Sequence, residues 1–240
     1  IVNPKSAERK PWHMLFVGLL YASVSMLLAY FIFAKDIVNS QYIGWIVIMF
    51  TVIFSMPFIY FTIKLEEGKD ESSTNEMWLL REHSHALMAF LWLFVGFVIA
   101  FSFWHMVLPN GINLLNAQVG TFCQINNNDN LNDCLKQYGV LNLNDITGQM
   151  TSKDRFFAIF SNNIYVLIFT IVLSLIMGAG AIFVLAWNAS VIAAAIGIFA
   201  KSQIQNIPTG LGRYLIHGLP EIAAYFIASL AGGILSISLI

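Results

Sequence analysis

Long apolar stretches separated by short polar segments dominate the pattern of this chain. Such stretches cover residues 14–34, 42–63, 85–107 and 164–187, and a fifth, 219–240, is apolar apart from Glu221. Stretches of about 20 residues match a helix that crosses a hydrocarbon layer about 30 Å thick. Backbone amides find no water in lipid, so each stretch is predicted to be a transmembrane helix. A β-barrel would show alternating short segments instead of continuous apolar runs.

Residues 190–200 are also apolar and rich in alanine, but they are too few to cross a bilayer alone. We interpret them as a short re-entrant or interfacial helical segment. Pro208, Gly210 and Gly212 then indicate a break before the last span. The predicted fold class is therefore all-α, a polytopic transmembrane helical bundle with five full spans plus this short segment.

Three regions follow from this pattern. Residues 1–107 form an N-terminal membrane region with three spans and an acidic loop, in which residues 66–76 are interpreted as a solvated linker. Residues 108–155 form an asparagine-rich loop outside the membrane, and residues 156–240 form a second membrane region. Because Ile240 stands inside an apolar run, we expect the polypeptide to continue beyond it.

Composition supports lipid as the main solvent. Hydrophobic residues make up 58% of the chain, charged residues 10%, and the mean hydropathy is +0.73. A soluble domain carries about 25% charged residues, so the lipid bilayer is the expected partner of most of this surface. The net charge of −1 gives no reason to expect nucleic acid as a partner.

Basic residues near the spans predict the orientation. Lys5, Arg9 and Lys10 precede the first span. They predict a multi-pass protein of the cell membrane whose N-terminus lies in the cytoplasm. If residues 190–200 re-enter the membrane, Lys201 and Arg213 also lie on the cytoplasmic side. A full crossing by that segment would place both outside, against the rule for basic residues.

The two cysteines lie in the outer loop. Cys123 and Cys134 close a short loop, and an extracytoplasmic location permits a disulfide between them. The alternative is two unpaired thiols. The loop contains no histidine, and two cysteines are too few ligands for a structural zinc site.

Polar residues within the membrane regions are the candidate functional residues, because a buried charge in lipid is costly. They form a predicted intramembrane polar site: Asn162, Asn163, Asn188, His217 and Glu221. One interpretation is a Glu221 carboxylate at the start of a helix, with Pro220 in the first turn. The other is that His217 and Glu221, one turn apart, meet Asn188 and relay protons or hold a cation.

A metal centre is a third interpretation of these groups. His83 and His85 precede the third span, and with His217 and Glu221 they would offer nitrogen and oxygen ligands to zinc. His83 and His85 are two residues apart, so on a helix they point in different directions. We therefore predict no metal, no cofactor and no catalytic residue.

The second membrane region resembles a known family. The resemblance rests on the segment 156–163 (FFAIFSNN), on 186–189 (AWNA), on 217–224 (HGLPEIAA) and on Ala231-Gly232-Gly233. It is similar to the stage II sporulation protein M family, and to its archaeal members more than to the sporulation protein. The resemblance implies a multi-span membrane protein, and the sporulating member holds peptidoglycan-degrading partners at the membrane.

Three functions remain open from the sequence. The first is a membrane scaffold or subunit of a membrane complex, a homo-oligomer or an assembly with other membrane proteins. Small residues suited to close helix packing, such as Gly178, Gly180, Gly232 and Gly233, favour it. The second is a channel or transporter that uses Asn188, His217 and Glu221, and the third is an intramembrane metal-dependent hydrolase.

Overall fold

The computed structural model describes residues 3–36, 40–72, 75–108, 114–126, 134, 152–175, 179–202 and 207–238. Within these ranges the chain forms eight α-helices and one 3₁₀ turn, and no strand. The α-helices are α1 (Pro4–Arg9), α2 (His13–Phe33), α3 (Ile43–Ser72), α4 (Glu76–Val107), α5 (Asn116–Asn126), α6 (Ser152–Ser174), α7 (Ala179–Ser202) and α8 (Ile207–Ser238). The all-α prediction is confirmed.

Five of these helices are long and apolar enough to cross a membrane: α2, α3, α4, α7 and α8. Helix α6 carries a shorter apolar part, Asn163–Ser174. Two faces of the bundle can be named from its ends. The N-terminal face carries α1, the end of α3 and the start of α4, and the disulfide face carries α5 and the opposite ends of α3 and α4.

The disulfide face is held by α5. Cys123 lies in this helix and is bonded to Cys134, as predicted. Both half-cystines are buried, and the nearby Gln118 Nε2 donates a hydrogen bond of 3.2 Å to the carbonyl of Gly44 at the start of α3. Phe122 on α5 meets Phe199 on α7 edge to face. Helix α5 therefore ties the ends of two long helices together.

Close glycine contacts bring the long helices together. Gly18 on α2 lies against Gly96 on α4, where a Cβ on Gly18 would overlap the carbonyl oxygen of Leu93. A Cβ on Gly233 of α8 would lie 2.5 Å from the Cδ1 atom of Ile63 on α3. Small residues allow such close approach between helices in membranes.

Helix α7 occupies the centre of the bundle and packs on α3, α4, α5, α6 and α8. Several of its alanines are fully buried, among them Ala186, Ala189 and Ala193. At its start, a Cβ on Gly180 would lie 2.6 Å from the backbone nitrogen of Ser174, the last residue of α6. Near its end, Gly197 lies against the His105 ring at the end of α4. Helix α7 thus runs from the N-terminal face to the disulfide face.

The boundaries predicted for residues 164–200 are wrong. The apolar run 164–187 is divided between α6, which ends at Ser174, and α7, which begins at Ala179. Residues 190–200 form the second half of α7 instead of a separate short segment. The physical reason is that Asn188 does not interrupt the helix, because its Nδ2 donates to the carbonyl of Val184 one turn earlier.

This change also corrects the side assigned to Lys201 and Arg213. With α7 ending at the disulfide face, Lys201 lies at that face, and Arg213 follows near the start of α8. They therefore lie opposite Lys5, Arg9 and Lys10, not beside them.

The glycine contact between α2 and α4 gives a first prediction. Gly18→Ala should lower the free energy of unfolding by about 1–3 kcal/mol, because the new methyl group meets a backbone carbonyl that cannot move aside. Gly68→Ala on α3 is the matched control, since nothing lies within 4 Å of the position its Cβ would take. That change should be neutral or stabilise by up to about 1 kcal/mol. Unfolding in detergent measures both, and equal effects would contradict the prediction.

The disulfide gives a second prediction. Cys134→Ser should destabilise the folded protein by about 2–3 kcal/mol, because the unfolded chain is no longer constrained by the loop. Cys123→Ser should have the same effect, and the double variant should add nothing further. Unfolding of each variant without reductant measures this. Full additivity of the two single effects would show that the thiols act separately.

Candidate functional site

A cluster of ionisable side chains joins three helices at the N-terminal face. We call it the N-terminal-face cluster, and its members are Glu8 on α1, Glu66, Lys69 and Asp70 on α3, and Glu82 and His83 on α4. Glu66 is fully buried at its centre. Its Oε1 accepts a hydrogen bond from Lys69 Nζ at 2.6 Å, and its Oε2 lies 2.7 Å from His83 Nδ1.

The remaining contacts of the cluster involve Lys69 and His83. Lys69 Nζ also donates to Glu8 Oε2 at 3.0 Å and lies 3.8 Å from Glu82 Oε2. His83 Nε2 lies 2.9 Å from Asp70 Oδ1. Four carboxylates therefore share one lysine and one imidazole. Because buried charges are costly unless paired and hydrogen-bonded, the cluster locks α1, α3 and α4 into one arrangement.

Burial and a neighbouring carboxylate change the pKa of Glu8. Burial, followed by the neighbouring Glu66 carboxylate, raises the pKa of Glu8 from 4.5 to about 7, although Lys69 opposes the shift. The Oε1 atom of Glu8 is buried and has no hydrogen-bond partner among the described residues. A proton on Glu8 would relieve its repulsion with Glu66.

The interpretation of residues 66–76 as a solvated linker is wrong. Helix α3 continues through Ser72, α4 begins at Glu76, and Glu66 is inaccessible to solvent. A signal was present in the sequence, because Glu66 continues the spacing of the buried residues Ile59 and Ile63 on one face of α3. The high charge content of residues 66–76 obscured this spacing.

Glu221 is not a helix-start acid. Helix α8 begins at Ile207, so Pro220 lies in its interior and Glu221 follows more than three turns after the start. The Glu221 side chain is half-buried, and its Oε1 accepts a hydrogen bond of 2.6 Å from the hydroxyl of Tyr225. Tyr225, which the sequence analysis did not single out, is 2% exposed.

Of the other predicted polar residues, the structure describes the side chains of two. Asn163 on α6 and Asn188 on α7 are both half-buried. The side chains of Asn162 and His217 lie outside the described part of the structure. No hydrogen bond links Asn163, Asn188 and Glu221 to one another among the described side chains, so the predicted polar site remains a prediction.

Helix registers nevertheless place three of these residues on the same side of one contact between α6, α7 and α8. On α6 and α8, which run in parallel, Ser174 lies beside Gly232, and Asn163 and Glu221 each stand eleven residues earlier. Helix α7 runs the other way, and Asn188 stands eight residues after Gly180, which also lies beside Ser174. At 1.5 Å per residue, these positions lie about 12–17 Å from that common level.

The proposed zinc ligands do not meet. His83 belongs to the N-terminal-face cluster, whereas position 217 lies on α8 one turn from Glu221, toward the disulfide face. His85 is exposed. In the part of the chain that the structure describes, no three His, Cys, Asp or Glu residues are grouped to hold a metal ion.

The raised pKa of Glu8 gives a third prediction. The folded protein binds this proton more tightly than the unfolded chain, so its stabilising contribution is full below pH 4.5 and is lost as the pH rises through about 7. Glu8→Gln mimics the protonated form. It should therefore unfold at the wild-type temperature at pH 4.5 and at a higher temperature than wild type at pH 8.

Thermal unfolding in detergent at both pH values measures this difference. Glu71→Gln, at an exposed position of α3, controls for the general loss of one carboxylate. A difference between Glu8→Gln and wild type that is the same at both pH values would contradict the prediction.

Comparison with known proteins agrees with the helical architecture. Searches of curated proteins and of solved structures find no match to this chain. The family model for stage II sporulation protein M matches residues 37–240, which include α3 to α8 but not α1 and α2. The chain therefore belongs to the stage II sporulation protein M family and is a multi-pass membrane protein.

Proposed function

We propose that the protein is a membrane scaffold, a subunit that holds partner proteins at the membrane. The observation that carries this proposal is a rigid projection on the N-terminal face. Ile43–Ser72 and Glu76–Val107 contain 30 and 32 residues, or about 45 Å each, against a hydrocarbon layer of about 30 Å. The surplus length of α3 and α4 stands outside the membrane, and the N-terminal-face cluster fixes it.

The projection exposes groups that a partner can bind. Met77 and Trp78, at the start of α4, are 77% and 41% exposed. Lys64 and Arg81 are exposed as well. Large apolar side chains with basic neighbours are typical of protein contact surfaces, in which tryptophan, methionine and arginine are enriched. Such a surface on a rigid support favours a binding platform.

Packing inside the bundle supports the same function. Phe90, Phe97 and Phe101 on α4 are fully buried in the apolar core, and α4 packs on α7. Several buried hydroxyls donate to carbonyls of their own helix one turn earlier: Ser25 to Tyr21, Thr51 to Val47 and Thr62 to Phe58. Hydroxyls bonded in this way are satisfied within their own helix and need no water as a partner.

The orientation that we propose places the N-terminal face in the cytoplasm of a cell. With Lys201 and Arg213 on the disulfide face, basic residues alone favour neither direction. The Cys123–Cys134 disulfide supports an extracytoplasmic location for its own face, because disulfides persist in oxidising compartments. The platform then meets cytoplasmic or membrane partners, or a second copy of this chain.

A channel or transporter is the second candidate. The half-buried Glu221 carboxyl, in the interior of an apolar helix, favours it. A metal-dependent hydrolase, the third function left open by the sequence, has no supporting group of residues in the described ranges.

The scaffold function predicts that the platform is required for assembly. Partner proteins should be recovered with the wild type by crosslinking in native membranes and affinity purification. The double variant Met77→Glu, Trp78→Glu should lose most or all of them. Both side chains are exposed, so the fold should survive. Ser72→Glu, exposed on the same projection, is the matched control and should keep the wild-type partners.

Two results would count against the scaffold. One is recovery of the wild type as an isolated monomer after crosslinking. The other is an unchanged set of crosslinked partners in the double variant, when its thermal unfolding in detergent matches that of wild type.

A further inference from the structure

The depth of Glu221 in the bundle can be measured from the N-terminal face. Gly233 lies beside Ile63, and the exposed charge of Lys64 follows directly, which marks the edge of the hydrocarbon layer on this face. Glu221 stands twelve residues before Gly233, about 18 Å along the helix axis. Counted from this edge, that position lies within a layer about 30 Å thick.

A carboxylate at that depth needs a neutralising partner. A charge at the centre of a bilayer costs about 2.5–3.5 kcal/mol on insertion scales. Glu221 is joined to Tyr225, whose hydroxyl supplies a hydrogen bond but no charge. Either a proton or a small cation would neutralise the carboxylate.

We propose that Glu221 and Asn163, with Asn188 on the neighbouring α7, form an intramembrane site that reversibly binds a proton or a monovalent cation such as Na⁺. Carboxylate and amide oxygens are the ligands that hard cations prefer, and the same carboxylate accepts a proton. The site would couple binding of this cation to the packing of α6, α7 and α8. This proposal goes beyond the scaffold function and does not depend on it.

Helix faces support the pairing of Asn163 with Glu221. A separation of eleven residues returns to nearly the same face of an α-helix. Ser174 on α6 and Gly232 on α8 lie against each other, since a Cβ on Gly232 would lie 2.9 Å from the Cβ of Ser174. Asn163 and Glu221, eleven residues before them, therefore stand on the faces that α6 and α8 turn toward each other.

Buried hydroxyls on those faces are a second, independent observation. Ser229, on the face of α8 that carries Glu221 and Tyr225, is 0% exposed, and its Oγ has no hydrogen-bond partner among the described residues. The same is true of Ser174 on α6. Unpartnered buried hydroxyls are costly. Water or a cation between α6 and α8 would satisfy the Ser229 hydroxyl, whereas the close contact of Ser174 with Gly232 closes this space toward the N-terminal face.

Pro220 opens α8 on the opposite side of the site. Proline has no N–H, so it cannot donate to the carbonyl of residue 216 one turn earlier. In lipid, such a freed carbonyl is tolerated where a neighbouring helix, a side chain or water satisfies it. The break in the hydrogen-bond ladder directly before Glu221 therefore favours access for water from the disulfide face.

The experiment is carbodiimide labelling of the protein in liposomes, followed by peptide mass spectrometry. A lipid-soluble carbodiimide adds to a protonated carboxyl that is shielded from water. We expect an adduct on Glu221 that diminishes as the pH rises. If the site also binds Na⁺, replacing choline by Na⁺ at constant ionic strength should protect Glu221, and Asn163→Leu should abolish the protection.

The controls separate a membrane site from an ordinary carboxyl. Glu71, exposed on the projection, should react with a water-soluble carbodiimide, whereas Glu221 should not. Glu221→Gln should remove the adduct, and labelling of the wild type remains informative if that variant does not fold. Labelling that depends on pH but not on Na⁺ supports a proton site, and protection by Na⁺ supports a cation site.

Two outcomes would overturn the proposal. One is the absence of a Glu221 adduct in folded wild type from pH 5 to pH 9. The other is equal reaction of Glu221 and Glu71 with the water-soluble reagent, which would place Glu221 in bulk water. Neither outcome bears on the scaffold, whose test depends on Met77 and Trp78.

Discussion

Helices that already lie in lipid gain little from hiding apolar surface, so close packing must hold them together. This constraint explains why small residues mark the main contacts of the bundle. Gly18 meets Gly96 between α2 and α4, and Gly233 meets Ile63 between α8 and α3. The buried alanines of α7 let five other helices approach the centre. Every other feature, including the depth of each polar group, depends on these approaches.

Charged and polar groups are sorted by depth in this arrangement. At the N-terminal face, where water is close, four carboxylates share Lys69 and His83 and fasten α1 to the projecting ends of α3 and α4. Deeper in the bundle, Glu221 has Tyr225 as its described partner. The first group supports the surface that we propose for partners. The second retains a carboxyl inside an apolar helix, at the position that we propose for a proton or an ion.

Local patterns predicted the helical class and most spans well, because apolar runs of sufficient length leave a chain in lipid few alternatives. The Cys123–Cys134 disulfide was also accessible to this reasoning, since both cysteines fall in one short polar segment. The division of residues 164–200 between α6 and α7 was not accessible in this way. The sequence there is almost uniformly apolar, and Trp187 with Asn188 imitates the end of a span. Packing of Trp187 against Trp45 and the bond from Asn188 to Val184 carry the helix through this point.

For the candidate sites, too, the sequence determined one part and the tertiary structure another. Sequence alone determined that a carboxyl, an imidazole and several asparagines stand within apolar stretches, because residue identity and local hydropathy need no fold to be read. It also determined that lipid surrounds most of the chain. Tertiary structure decided that Glu66 is buried beside Lys69 and His83, and that Glu221 lies inside α8 with Tyr225 as its hydrogen-bond partner. Depth and partnership depend on how helices distant in sequence pack together, and a one-dimensional pattern carries no record of that packing.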